Sequence, residues 1–319
     1  MSAAGPSQGA RAPLGGSVVR EATSVGASNV GIIGVGNMGG AMAQRLCSLG
    51  WAPWVHDVDT AKVQDLVRFG ALAPVDIAQE ATESIATIVC VVDAAQTRDV
   101  LFGPQGLAPR LPAGHVVLLC PTIAPQDVEA IATQLAEHGI HTIDAPMSGG
   151  PGRARDGSMS LMVAGEDAAV ARLQPLLDAL SSKVFRISQR VGDGARTKLV
   201  NNLLAGINLV GAAEVMALAS RMGLDLNHTL DVVEQSSGQS WIGSDRMRRA
   251  IAGDLAPRAH MTLLAKDTRL AQEAAAHAGF AGPLGAHASA VFAAAVAAGL
   301  EGLDDGALLA FLQRPKMAE

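Results

Sequence analysis

The chain has 319 residues, 49% of them hydrophobic, and a formal net charge of -6 at neutral pH. This apolar content supplies a sizeable core, and the length fits two domains. The negative charge, the scarcity of aromatic residues and the absence of any basic run longer than the short group at 246–249 argue against nucleic acid as a partner.

The N-terminal segment, residues 1–27, is rich in Ala, Gly, Ser and Pro and contains no continuous apolar stretch like that of a secretory signal. We therefore expect a flexible tail. No uninterrupted apolar run reaches the roughly 18 residues of a membrane span, so we expect a cytoplasmic protein with no membrane partner. The three cysteines, Cys47, Cys90 and Cys120, are widely spaced, which indicates reduced thiols in the core. No Cys/His cluster has metal-ligand spacing, and we expect a reaction without metal.

The first structured element is an apolar strand that runs directly into a G-x-G-x-x-G turn. Gly34 permits a tight turn, Gly36 lets the backbone approach a pyrophosphate, and Gly39 lets the following helix lie close to the strand. Asn37 and Met38 open that helix, where unpaired backbone amides attract phosphate. The segment predicts a dinucleotide-binding site.

The second strand, residues 53–56, ends at Asp57, at about the distance that the fingerprint expects. A carboxylate there accepts hydrogen bonds from the adenosine ribose and repels a 2′-phosphate. Val58 supplies no arginine that would bind such a phosphate. Asp57 therefore predicts NAD, with NADP less favoured. The alternative is a solvated turn acid ahead of a helix cap at Asp59.

From residue 28 to 190 short β-branched runs alternate with helical segments, which is typical of a mostly parallel sheet covered on both faces. We interpret this part as an NAD-binding Rossmann domain. Its later strands are expected at residues 85–92, 115–120, 141–144, 158–164 and 184–187.

The pattern changes after residue 191 to helical periodicity alone. Helices are expected at 195–222, 227–234, 244–251, 261–278 and 283–298. The fold class is thus an α/β Rossmann-type dinucleotide-binding domain followed by an all-α helical domain, residues 191–319, for substrate binding and oligomerisation. Its Ala-rich faces suit close helix packing within a domain or between subunits, and we expect a homodimer or homotetramer.

Ser148, Gly149 and Gly150 follow the strand at 141–144, and ligands bind at the carboxyl ends of strands in open α/β sheets. The serine hydroxyl and the glycine amides would form a small cradle for a substrate carboxylate. The alternative is a plain glycine turn between two elements.

Lys198 and Asn202 are four residues apart, so on a helix both side chains project from one face. An ammonium and an amide directed at one oxygen would polarise a carbonyl and deliver its proton. Lys266, beside Asp267, opens a later helix and would reach back over the cofactor. The alternatives are a solvated helix lysine and an exposed Lys/Asp pair.

Together these four ordered motifs resemble the β-hydroxyacid dehydrogenase family, which includes 3-hydroxyisobutyrate dehydrogenase, tartronate semialdehyde reductase and threonate dehydrogenase, over about residues 29–312. The resemblance implies that Lys198 is the catalytic lysine and Asn202 its partner at the substrate. It also implies that Ser148, Gly149 and Gly150 hold the substrate carboxylate, and that Val92, Thr122 and Lys266 contact the cofactor. One departure is Pro121, where the family often has a serine.

The activity implied is an NAD(H)-dependent interconversion of a small 3-hydroxy acid and its semialdehyde or keto acid. We expect a tartronate semialdehyde (2-hydroxy-3-oxopropionate) reductase, with 3-hydroxyisobutyrate or threonate dehydrogenase as alternatives and a non-catalytic NAD-sensing protein as the competing class. To act as the base, Lys198 needs its pKa lowered from about 10.4 to roughly 7 to 8. Burial and the positive charge of NAD+ both act in that direction.

Overall fold

A computed structural model describes residues 29–314 of the chain. The tail predicted at residues 1–27 lies outside this part. Within it, a sheet covered by helices is followed by a cluster of helices, as the sequence predicts for the fold class.

Eight strands form one sheet, in the order β2-β1-β3-β4-β5-β7-β6 with β8 paired to β7. The strands are β1 (Val30–Ile33), β2 (Trp54–His56), β3 (Ala86–Val89), β4 (Val116–Leu119), β5 (His141–Asp144), β6 (Met147–Ser148), β7 (Ser160–Ala164) and β8 (Lys183–Ser188). The first five are parallel, and β7 pairs antiparallel with β5. All five parallel strands therefore end at the same edge of the sheet.

The helices of this part lie on both faces of the sheet. They are α1 (Asn37–Ser48), α2 (Thr60–Val67), α3 (Ile77–Thr82), α4 (Ala94–Phe102), α5 (Pro125–Glu137), α6 (Gly150–Asp156), α7 (Asp167–Arg172) and α8 (Gln174–Leu180). Strand β1 shows why helices pack on both faces of the sheet. Val30 and Ile32 pack into one apolar cluster and Ile33 into another, so the strand is apolar at consecutive positions.

The helical part is organised around one long helix. It contains α9 (Asp193–Arg221), α10 (Leu226–Glu234), α11 (Trp241–Ile251), α12 (Met261–His277), α13 (Pro283–Ala295) and α14 (Leu308–Gln313). Helix α9 has 29 residues, a length of about 44 Å. Helices α10 to α14 pack against it around a third apolar cluster.

Two helices, α9 and the segment Pro283–Leu300, are long and apolar enough to cross a membrane when judged by length and composition alone. Both contribute to the third apolar cluster, with side chains such as Leu209 and Phe292. Packing within the helical part buries 39% of the apolar window of α9 and 28% of that of the second segment.

The predicted elements correspond to the observed ones, with differences in detail. Strand β3 ends at Val89, so residues 90–92 of the predicted strand lie outside it. Helix α11 begins at Trp241, ahead of the predicted start, because Ser240 caps it by accepting a hydrogen bond from the Gly243 amide at 3.1 Å. Helix α13 ends at Ala295, where a π turn follows that contains Gly299 at φ +84°. The two-residue strand β6 was not predicted. Cys47, Cys90 and Cys120 are free thiols.

Candidate active site

The glycine turn leaves open space only at its middle position. At Gly34, which has φ +87°, a Cβ would lie 2.7 Å from the Cys90 carbonyl oxygen, and at Gly39 it would lie 2.0 Å from the Gly34 oxygen. At Gly36 a Cβ would meet nothing within 4 Å. The first and third glycines are thus required by the fold, while the second leaves a free approach to the start of α1. No side chain caps that helix at Gly36, so its first amides are available to a pyrophosphate.

Asp57 lies beside this turn and is held by it. Its Oδ2 accepts a hydrogen bond from the Val35 amide at 2.7 Å, and its Oδ1 accepts one from the Asp59 amide at 2.9 Å. The helix cap of the alternative interpretation is Asp59, which accepts from the Ala61 amide at 3.1 Å. Asp57 is therefore a fixed carboxylate next to the nucleotide turn. The neighbouring Val58 is 98% exposed and carries no charge.

Lys266 connects the helical part to the sheet. Its Nζ donates to the Val92 carbonyl oxygen at 2.9 Å and to the Thr122 carbonyl oxygen at 2.7 Å. Val92 and Thr122 follow the ends of β3 and β4. The structure thus brings together three residues predicted to contact the cofactor. The ammonium group is bound to main-chain carbonyls, and the exposed Lys/Asp pair of the alternative interpretation is not what is observed.

Lys198 and Asn202 are buried on the same face of α9, with 7% and 8% of their surfaces exposed. Asn202 donates its Nδ2 to Asp267 Oδ2 at 2.6 Å, and Lys266 Nζ lies 3.5 Å from Asp267 Oδ1. Oδ1 is buried and accepts no hydrogen bond among the residues that the structure describes. Asn202 and Lys266 therefore meet around one buried carboxylate, and the charges of Asp267 and Lys266 both act on Lys198.

Burial lowers the pKa of Lys198 to about 8. The Asp267 carboxylate acts in the opposite direction, and the positive charge of Lys266 lowers the pKa further. Such a lysine is mostly protonated at neutral pH and loses its proton just above it. It can act as an acid or as a base within one narrow pH range.

The cradle, residues 148–150, lies at the end of β6. Ser148 pairs with Ser160 of β7, and the chain then passes through Gly149 at φ +128° and Gly150 at φ +74° into α6. Both positive φ values favour glycine. The three residues are half-buried. The segment is therefore a glycine turn, as in the alternative interpretation. It also carries the Ser148 hydroxyl and the glycine amides at the edge of the sheet where the parallel strands end.

Asp144 is a site residue to which sequence reasoning gave no role. It ends β5 and is 1% exposed, and its Oδ2 accepts hydrogen bonds from the Gly192 amide at 3.0 Å and the Ala195 amide at 2.9 Å. Burial raises the pKa of Asp144 to about 6, although those hydrogen bonds lower it. One carboxylate thus joins the strand that leads to the cradle with the start of the helix that carries Lys198. The signal in the sequence was an acid at a strand end, four residues before Ser148.

Within residues 29–314, no group of three or more His, Cys, Asp or Glu side chains is arranged to hold a metal ion. The junction of the sheet part and the helical part, called the crevice below, instead carries the Lys198 amine, the Asn202 amide, the Ser148 hydroxyl and backbone N–H donors. This donor set fits a dinucleotide and a carboxylate.

A Rossmann-type sheet, a glycine turn at its ligand edge and a buried lysine from a helical part define a nicotinamide-dependent dehydrogenase. Residues 29–188 match the NAD binding domain of 6-phosphogluconate dehydrogenase, and residues 192–312 match the NAD-binding domain of NADP-dependent 3-hydroxyisobutyrate dehydrogenase. The chain belongs to the β-hydroxyacid dehydrogenase family. It is an NAD(P)-dependent hydroxyacid dehydrogenase with a small hydroxy acid as substrate.

Three relatives show how far the similarity extends. L-threonate dehydrogenase of Escherichia coli (strain K12) is 38% identical over 282 residues, which cover 88% of this chain and 93% of the relative. A crystal structure titled 3-hydroxyisobutyrate dehydrogenase from Salmonella typhimurium is 36% identical with a TM-score of 0.83, covering 89% of this chain and 99% of that one. Psf3, solved in complex with NADP+ and 2-OPP, is 30% identical with the same TM-score and the same coverage. The similarity to L-threonate dehydrogenase favours the alternative prediction over tartronate semialdehyde reductase.

Proposed function

We propose that the protein is an NAD-dependent dehydrogenase of a short hydroxylated acid of the L-threonate type. The observation that carries this proposal is the placement of a buried lysine of lowered pKa on the helix that Asp144 ties to the cradle segment. The substrate class rests on the 38% identity to an L-threonate dehydrogenase over nearly the whole folded chain. 3-Hydroxyisobutyrate is the second candidate, since the Salmonella structure carries that name.

In this proposal the sheet part binds the cofactor, and the helical part contributes the catalytic lysine and the subunit contacts. Residues 28–190 bind the dinucleotide through Gly34, Gly36, Asn37, Met38 and Gly39. Asp57 holds the adenosine ribose, and Val92, Thr122 and Lys266 border the nicotinamide. Residues 191–319 contribute Lys198 and Asn202 to the substrate and provide the subunit contacts.

The bound nicotinamide supplies the hydride acceptor for alcohol oxidation and the hydride donor for the reverse reaction. Lys198, when neutral, takes the proton of the substrate hydroxyl as the C–H bond breaks, and it returns that proton in the reverse direction. Asn202, oriented by Asp267, donates to the same oxygen. The cradle fixes the carboxylate so that this oxygen stays against the lysine.

Asp57 supports a preference for NAD. Its carboxylate is fixed beside the glycine turn, and Val58 provides no cation for a 2′-phosphate. We expect kcat/KM with NAD+ to exceed that with NADP+ by at least about tenfold. Equal values for the two cofactors would contradict this preference. The need for NAD(H) and the three free thiols also support a cytoplasmic location.

A homo-oligomer is supported by the outer face of α9. Large apolar side chains are exposed there at helical spacing, on the side opposite Lys198. They are Val200 (73%), Leu204 (58%), Val215 (49%) and Leu218 (56%), with Met222 (66%) directly after the end of the helix. Light scattering on the wild type should give a dimer or tetramer, and Leu204→Glu with Leu218→Glu should give a smaller species. A monomeric wild type would contradict the proposal.

The experiment that tests the function is a spectrophotometric screen of the full chain with NAD+ and NADH. The acids are L-threonate, 3-hydroxyisobutyrate and glycerate, and tartronate semialdehyde serves in the reductive direction. We expect the highest kcat/KM with L-threonate and NAD+. A higher kcat/KM with 3-hydroxyisobutyrate would favour the second candidate, and turnover of tartronate semialdehyde alone would overturn the proposal.

A further inference from the structure

Arg153 is a cation close to the cradle that makes no ion pair within 4 Å among residues 29–314. It lies on α6, three residues after Gly150, and is half-buried. Within residues 29–314 no carboxylate lies at ion-pair distance from its guanidinium. The carboxylate on which Arg153 acts is Asp156, whose pKa is lowered by its hydrogen bonds with Ser158 and in smaller part by the Arg153 charge, but Asp156 is exposed and lies beyond ion-pair distance. A half-buried charge with no close partner favours a bound anion.

Two contacts hold the Arg153 side chain in place. Its aliphatic stem packs on the cradle, where a Cβ on Gly149 would lie 2.9 Å from Arg153 Cδ. Its guanidinium stacks on the indole of Trp241, with 4.6 Å from Cζ to the ring centroid. Stacking occupies the flat face of the guanidinium and leaves the N–H groups at its edge free to donate. The result is a fixed donor fork beside Gly149.

Trp241 is the first residue of α11 and belongs to the helical part. The stack therefore joins the two sides of the crevice next to the cradle. Trp241 remains 47% exposed, so the indole does not bury the guanidinium completely.

The neighbouring charged residues on α6 are already engaged. Arg155 is exposed and donates its Nε to Gln44 Oε1 at 2.7 Å. Asp156 accepts a hydrogen bond from the Ser158 amide at 2.8 Å. Of these three residues, Arg153 is the one whose stem packs on the cradle. Arg155 is a matched control of the same charge on the same helix.

We propose that Arg153 is a substrate-binding residue whose guanidinium pairs with the carboxylate of the hydroxy acid at the cradle, and that Trp241 positions it. The proposal rests on the proposed function in taking a hydroxy acid as the ligand. It adds a charged group to the serine and the glycine amides that sequence reasoning assigned to the carboxylate. It also makes carboxylate binding depend on a contact across the crevice.

The test is calorimetric binding of L-threonate to the enzyme saturated with NADH, a complex in which no turnover occurs. Arg153→Gln should weaken L-threonate binding by at least about tenfold, as expected for loss of a charged hydrogen-bonded pair. Arg153→Lys should recover part of the affinity, and Trp241→Leu should show an intermediate loss. Arg155→Gln should match the wild type. All variants should bind NADH with unchanged affinity, which also establishes that they fold.

A neutral analogue separates charge recognition from a general structural effect. L-Threonamide lacks the negative charge, so the wild type should bind it far more weakly than L-threonate. Arg153→Gln should discriminate between the two much less. Equal discrimination in the wild type and Arg153→Gln, or L-threonate binding by Arg153→Gln within about twofold of Arg155→Gln, would overturn the proposal.

The binding measurements and the activity screen together separate a failure of this proposal from a failure of the proposed function. A wild type that binds L-threonate without oxidising it would overturn the function and leave the comparison of variants valid. A wild type that binds none of the acids in the screen would overturn both.

Discussion

At the scale of single residues, Lys198 is the group on which the proposed chemistry depends. The sequence predicted its position on a helix next to Asn202, and it predicted that burial would lower its pKa. The structure places it 7% exposed with a pKa lowered to about 8. A local pattern was sufficient here because Lys198 and Asn202 lie about one turn apart on one helix, whose faces follow from spacing alone.

The lowered pKa of Lys198 predicts opposite pH profiles for the two directions. The neutral amine is required for oxidation, so kcat/KM for the hydroxy acid at saturating NAD+ should rise as pH increases through about 8 and then level off. The protonated amine is required for reduction, so kcat/KM for the carbonyl compound should fall over the same range. Initial rates between pH 6 and 10 measure both. Profiles that are flat across pH 8 in both directions would contradict the assignment.

At the scale of elements, the Asp144 contact sets the relation between β5, the cradle and α9. Its Oδ2 accepts the Gly192 and Ala195 amides, and a Cβ at Gly194 would lie 2.9 Å from this carboxyl group. Helix α9 is thus seated directly on the end of the strand. Lys198 follows Ala195 by about one helical turn. A displacement of the start of α9 would therefore move the amine relative to the substrate.

Asp144→Asn should lower kcat by about 10- to 100-fold and raise KM for the acid, because a small misplacement of a reacting group is costly. It should also reduce the free energy of unfolding by about 1 to 3 kcal/mol through the disturbed buried hydrogen bonds. Asp193→Asn is the control, since Asp193 opens the same helix but its carboxylate pairs with the exposed side chain of Arg190 at 2.6 Å. Steady-state kinetics and denaturant melts measure both effects.

The positioning role would be wrong if Asp144→Asn lost stability but kept kcat and KM within about twofold of the control. The carboxylate would then be a structural helix anchor and nothing more.

Contacts between elements could be predicted from the sequence less well than the motifs within them. The glycine turn, the strand ends and the lysines were predictable because each is encoded within a few consecutive residues. The pairing of Arg153 with Trp241 and of Asp144 with Ala195 was not, because these residues are distant along the chain and meet only through the packing of the sheet part against the helical part. Strand β6 was missed for a similar reason, since two residues carry no periodicity and its partner is β7.

At the scale of the whole molecule, a buried histidine in the sheet part makes the free energy of unfolding depend on pH in the acidic range. His115 is 2% exposed, and its Nε2 lies 3.0 Å from Thr87 Oγ1. Burial, assisted by the positive charge of Arg172, lowers the pKa of His115 to about 4. The folded protein therefore leaves this imidazole neutral at a pH where the unfolded chain would protonate it.

This depressed pKa predicts a loss of stability on acidification. Between the ordinary value of 6.5 and about 4 the unfolded state binds the extra proton, so the free energy of unfolding falls as pH falls through this window, by at most about 3 kcal/mol. His115→Gln should remove this part of the slope, whereas His138→Gln, at an exposed histidine, should leave it intact. Denaturant melts from pH 7 to pH 4 measure the slope. Identical slopes in the two variants would contradict the prediction.

The central claim is that the crevice between the two parts brings the Lys198 amine to the substrate oxygen beside the bound cofactor. The measurement that tests it most directly is turnover of Lys198→Met together with its affinity for NADH. We predict NADH binding close to that of the wild type and a loss of kcat of at least about 10³-fold. Substantial turnover by Lys198→Met with NADH binding unchanged would contradict the account.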